Sequence, residues 1–222
     1  MSLVLAADYR VPDFDRWWNR LRGDLPRLPG LGAHHVVVYR AIRDPNHVFV
    51  TIGVREREPV DALLRSPLLF AWFDSAGVTE IPPLFAGQIV EKIDLPAAPP
   101  PAVPPAPVSG VPTPVSDRAG VVVASIVSVG EIDQLRASVH HAVARITASG
   151  VRRFWIYRAL DDGAEVMILQ ELATERQADQ WIRHPDASAR FMAEAGMGAH
   201  PPNFVGRLVE TLEVPAAPLA RD

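Results

Sequence analysis

Residues 82–99 read PPLFAGQIVEKIDLPAAP, and residues 201–218 read PPNFVGRLVETLEVPAAP. Two stretches this alike in one chain mark a duplication, and the duplication decides the fold. Working outward, residues 76–99 match 195–218 at an offset of 119, with twelve of 24 positions identical. Upstream, residues 3–73 match 121–191 without a gap at an offset of 118, with sixteen of 71 identical. Asp15/Asp133, Gly32/Gly150, Asp61/Asp179 and Pro67/Pro185 are among these pairs. Apolar positions agree even where identities fail. Phe14, Trp17, Leu21, Leu25 and Leu28 follow the spacing of one helix face, and Ile132, Leu135, Val139, Val143 and Ile146 occupy the same places.

Each copy reads βαββαβ. The predicted strands are 3–9, 33–41, 47–54 and 87–95, matched by 121–127, 151–159, 165–172 and 206–214. The first helix spans about residues 14–28 and the second about 59–73, and RDPN and DDGA supply the hairpin turns. This order is the ferredoxin-like plait, an antiparallel sheet with both helices on one face. Strands two and three are nevertheless apolar on both faces. Val36 and Val38 oppose Val37 and Tyr39, and Phe154 and Ile156 oppose Trp155 and Tyr157. A solvated face would alternate cleanly, so the free face is covered, and the other copy's sheet is the obvious cover. The fold class is therefore α+β, with two plaits packed sheet to sheet.

Between the copies the chain reads PAAPPPAVPPAPVSGVPTPVSDRAG, with nine prolines in its first nineteen residues. Proline lacks the N–H that helices and ladders need, so this stretch is read as an extended polyproline spacer. The expected organisation is a first repeat over 1–95, a linker over 96–120, a second repeat over 121–214 and a tail over 215–222.

Composition narrows the function. The 222 residues carry 22 Lys+Arg against 26 Asp+Glu, a net charge of −4, which argues against nucleic acid as the partner. The absence of cysteine removes disulfides, thiolate metal sites and cysteine nucleophiles. No apolar run approaches the ~18 residues that span a bilayer, and the start lacks a basic leader, so a cytoplasmic protein without a membrane partner is expected. No GxGxxG, P-loop, HExxH or GxSxG occurs. His34 and His35 are strand neighbours expected on opposite faces, and His140 and His141 lie about 100° apart on a helix, so neither pair is read as a metal site.

Several runs carry a family resemblance. Val38-Tyr-Arg-Ala-Ile-Arg-Asp-Pro-Asn-His-Val-Phe-Val, Asp61-Ala-Leu-Leu-Arg-Ser-Pro, Ala76-Gly-Val and Pro82-Pro resemble the dimeric α/β-barrel superfamily, nearest its antibiotic-biosynthesis-monooxygenase-like branch. The second copy keeps Tyr157-Arg-Ala-Leu-Asp-Asp, Ala195-Gly-Met and Pro201-Pro. The resemblance implies an intramolecular dimeric α/β barrel whose lumen holds the ligand or active site. It covers cofactor-free monooxygenases, haem enzymes, isomerases and proteins without known activity. The haem-degrading branch would need an Asn in the first strand, where this chain has Asp8 and Ile126, and a His in the second helix. His184 stands there in one copy only, followed by Pro185, and Ser66 replaces it in the other, so it is read as a surface residue. No cofactor and no metal are expected.

The lumen walls are read as Tyr39, Phe49, Trp155, Tyr157 and Met167, with Glu171 as the candidate catalytic base where the first copy has Gly53. A carboxylate among apolar walls has its pKa raised by desolvation, which suits a proton acceptor. Strands two and four are the free edges of each plait, so closure brings strand two of one copy beside strand four of the other. This predicts seam ion pairs Arg40–Glu210 and Arg158–Glu91. Two functions follow. One is a cofactor-independent monooxygenase or isomerase acting on a small apolar or aromatic molecule in the lumen. The other is a non-catalytic binding or interaction barrel with a lumen filled by side chains. Either is expected as a monomer containing its own pseudo-dimer.

Overall fold

The β-branched and aromatic runs form eight antiparallel strands. They are β1 (Leu3–Arg10), β2 (Ala33–Ala41), β3 (His47–Val54), β4 (Leu84–Asp94), β5 (Val121–Ser128), β6 (Val151–Ala159), β7 (Glu165–Leu172) and β8 (Asn203–Glu213). The structure is a computed structural model and describes residues 3–65, 67–78, 82–96, 120–183 and 203–215. Nearly all of the expected linker, the end of the tail, and His184 with Pro185 lie outside the described residues.

The strands close into one barrel in the order β1-β3-β2-β8-β5-β7-β6-β4. Each half keeps the plait order, and the halves join at two seams, β2 with β8 and β4 with β6. The duplicated glycines of the two motifs make these seams possible. A Cβ on Gly87 would come within 2.7 Å of the Arg158 carbonyl oxygen, and one on Gly206 within 2.8 Å of that of Arg40.

Five helices lie on the outside among the described residues: α1 (Phe14–Asp24), α2 (Glu58–Leu64), α3 (Pro67–Ser75), α4 (Ile132–Ala148) and α5 (Glu175–Arg183). The first repeat's helices are shorter than their spacing predicts. Pro26 and Pro29 cannot donate to an α-ladder, so α1 gives way to a 3-10 turn over Leu25–Leu31. Pro67 likewise splits the second helix into α2 and α3. The second repeat has no proline in α4, which runs unbroken for 17 residues. Each half-sheet buries one face against its own helices, around Trp17, Leu21, Val36 and Val50 in one repeat and Leu135, Val139, Phe154 and Ile168 in the other.

The expected seam ion pairs do not form. Register explains why: Glu210 lies opposite Val38 rather than Arg40, and Glu91 opposite Ile156 rather than Arg158. Arg40 instead donates to the Pro45 carbonyl at 2.6 Å and lays its guanidinium 4.0 Å from the Phe14 ring centre. Arg158 donates to the Gly163 carbonyl at 3.1 Å. Both arginines thus close their own β-hairpins. The glutamates still reach across the seams, but to helices. Arg136 on α4 donates to Glu91 at 2.9 Å, with His140 at 3.6 Å, and Arg22 on α1 lies 3.9 Å from Glu210.

Candidate ligand cavity

Inward-facing side chains from all eight strands meet inside the barrel. Val4, Ala6, Phe49, Phe85, Val122, Ala124, Met167, Leu169 and Phe204 are buried there, with Tyr39, Trp155 and Tyr157 packed against them. The five expected wall residues are therefore brought together, and they pack on one another. Phe49 lies 5.4 Å from Phe204 and 6.2 Å from Tyr39, centre to centre. Burial raises the Tyr39 phenol, helped by the nearby charge of Glu171, and pushes that of Tyr157 up to about 12.

Glu171, the candidate base of the sequence reading, has a partner. Arg153 sits directly opposite it on β6 and donates at 3.1 Å. The first repeat has His35 over Gly53 at this place, where a Cβ would collide with the imidazole. His35 also departs from the expectation. A register shift between Ala33 and His35 turns the strand, so His34 and His35 meet with their Nδ1 atoms 2.7 Å apart instead of facing away from each other. Among the described residues no cluster of three or more metal-ligating side chains occurs.

A cavity of about 430 Å³ lies elsewhere, on the outer face of the first half-sheet beneath its helices. It lies outside the lumen, where the sequence reading had placed the site. Its floor is Leu5, Ala7, Val50, Ile52 and Leu84, and its cover is Leu21, Leu28, Leu63, Leu64 and Trp72. The breaks at Pro26 and Pro29 account for it. A short α1 and a 3-10 turn cover the first half-sheet where the second repeat lays the single long α4, with Leu135, Val139, Ala142 and Ile146 all buried. The floor differs between the repeats as well. Ser125, Gln170 and Asn203 stand in the second where Ala7, Ile52 and Leu84 stand in the first.

One side of the cavity is polar. Asp24, 7% exposed, ends α1 and faces α3. Its Oδ2 accepts from Arg20 Nε at 2.8 Å and from Trp72 Nε1 at 3.1 Å, and its Oδ1 accepts from Arg27 at 2.9 Å. Tyr9 adds a phenol that burial raises well above its ordinary range, so it stays neutral. Sequence reasoning missed this site, although the signal was available: Arg20, Asp24 and Trp72 fall at aligned positions where the second copy has Ser138, Ala142 and Arg190. The described lining offers a haem iron no histidine, cysteine or methionine, and burial keeps its one tyrosine, Tyr9, protonated, so the cavity does not fit that group.

No protein-family model matches the chain, and comparison with curated protein sequences also finds no match. Solved structures do match across almost the whole length. An anthrone oxidase-like protein superposes with a TM-score of 0.65 at 12% identity, covering 99% of this chain and 97% of that one. A candidate monooxygenase from Fusobacterium nucleatum gives 0.56 at 6% identity, covering 96% and 94%. The chlorite dismutase of Candidatus Nitrospira defluvii gives 0.52 at 14%, covering 94% and 91%. The chain thus has the dimeric α/β-barrel fold, with both halves in one polypeptide.

Proposed function

We propose that this chain binds a flat, apolar small molecule in the cavity of its first repeat and acts on it as a cofactor-independent oxygenase. The cavity is the observation that carries the reading. Its 430 Å³ lies within the range of small-molecule sites, and its aliphatic and aromatic lining with a few polar groups on one side is their usual make-up. The barrel interior offers less, because ten buried residues from seven strands already pack across it.

Oxygen chemistry without a cofactor needs a substrate that supplies its own electrons. A doubly benzylic methylene of the anthrone type does so. It loses a proton, the carbanion passes electrons to O2, and the carbon ends as a carbonyl with one water released. The likeness to an anthrone oxidase-like protein supports that substrate class over a saturated one. Asp24 is the one carboxylate among the described lining residues, and three donors already occupy its two oxygens, which leaves neither placed to take a substrate proton. The proton therefore passes to solvent water, which requires an acidic C–H such as the doubly benzylic methylene of an anthrone.

The test is oxygen uptake with anthrone-type substrates, compared between the wild-type protein and an Ala7→Phe variant that fills the cavity floor. Uptake that the variant loses supports the reading. Tight binding without any uptake would replace it by the second function, a non-catalytic binding barrel, which the engagement of Asp24 favours.

A further inference from the structure

We infer that the ligand of this cavity carries one anionic group, read by the paired guanidinium groups of Arg20 and Arg27. The inference rests on the cavity being the ligand site and goes on to name the ligand's charge.

Asp24 holds both arginines at the cavity wall. Arg20 gives it only Nε, and Arg27 gives it only one terminal nitrogen. A guanidinium has five N–H donors, so each keeps others for a second partner. Two positive charges meet one negative charge here, which leaves a net positive wall on an otherwise apolar cavity. With Trp72 also bound to Asp24, the carboxylate fixes where those charges stand before any ligand arrives. Positioned Arg N–H groups recognise carboxylate, sulfonate or phenolate oxygens in a way a mobile lysine does not.

The second repeat shows that the fold does not require this arrangement. There Ala142, almost fully buried, takes the place of Asp24 and packs into the helix–sheet core. Burying a carboxylate costs free energy unless it is well paired, and the second repeat completes the same helix–sheet core with an alanine instead. Arg27 has a counterpart in Arg145, but Ser138 and Ala142 stand for Arg20 and Asp24, so the paired arrangement occurs in the half that has the cavity.

The test uses two fluorescent probes with one skeleton, anilinonaphthalene sulfonate and its neutral parent phenylnaphthylamine, titrated into the full chain at low and high salt. We expect both to bind, the sulfonate on the order of tenfold more tightly at low salt, as one oriented charge pair near a surface gives. The preference should shrink as salt screens it. In Arg20→Gln/Arg27→Gln the sulfonate should fall to the level of the neutral probe, which itself should hardly change. Arg27→Gln alone, at a side chain 77% exposed, gives a partial loss in a variant whose folding is not at stake. Equal affinities in wild type, or a preference that survives the double variant, would overturn the inference and leave the cavity reading standing. Failure of both probes to bind, or binding indifferent to Ala7→Phe, would overturn the cavity reading and this inference with it.

Discussion

Trp72 Nε1 donates to Asp24 Oδ2 at 3.1 Å, and that bond ties α3 to the end of α1 across the cavity. The contact spans 48 residues of sequence and joins two helices that the proline breaks would otherwise leave loosely coupled. It makes Asp24 a structural element of the site as well as an electrostatic one.

Asp24→Ala should therefore destabilise the protein by about 1–3 kcal/mol, through the charge-assisted hydrogen bonds it loses from Trp72, Arg20 and Arg27. Asp24→Asn keeps an acceptor for the indole and should lose less. Urea unfolding monitored by tryptophan fluorescence checks both. Equal stability of wild type and Asp24→Ala would show that the cluster contributes nothing to holding α3.

The seam pairing can be measured in the same way. A double-mutant cycle on Arg136 and Glu91 should give a coupling of roughly 0.5–1 kcal/mol, as for a partly exposed ion pair. The cycle on Arg40 and Glu210 should give a coupling near zero, because each has other partners. A larger coupling in the second cycle than in the first would contradict the observed register.

All three tyrosines should titrate abnormally. Burial raises the phenols of Tyr9, Tyr39 and Tyr157, the last to about 12. Each folded value lies above the unfolded value of about 10, so the fold favours the protonated form. That contribution is complete below pH ~10 and is lost as pH rises from there through the folded values. Absorbance at alkaline pH should accordingly show almost no phenolate in the native protein at pH ~10.5, with ionisation accompanying unfolding. A midpoint near 10 in the folded protein would contradict the burial of these rings.

Phe49 packs inside the barrel and takes no part in the cavity wall. Phe49→Ala removes a fully buried ring and should cost about 3–5 kcal/mol. Ligand affinity of the fraction that remains folded should not change, since Phe49 does not line the cavity. A loss of affinity without a loss of stability would place the ligand inside the barrel instead.

Much of the architecture was legible in the chain, and particular residues show why. The repeated PPLFAGQIVEKIDLPAAP and PPNFVGRLVETLEVPAAP carry the glycines that let the seams close, so the duplication and the barrel are one signal. Strand pairing followed from period and topology, which are properties of the backbone. The errors arose where side chains choose among neighbours. Arg40 and Glu210 do face a common seam, yet the register sets Glu210 opposite Val38, two residues from Arg40, and no local pattern announces that register. The interior aromatics did converge, but convergence says nothing about whether space remains between them. The cavity lies instead where Pro26 and Pro29 turn the end of α1 into a 3-10 helix, in a run read as one continuous helix over about 14–28.

A crystal structure of the protein with a bound apolar aromatic ligand tests the central claim most directly. We expect the ligand between α1, α3 and the first half-sheet, against Val50, Ile52 and Trp72, with any acidic group beside Arg20 and Arg27. Ligand density inside the barrel against Tyr39 and Trp155, with the first repeat's cavity left vacant, would contradict the account.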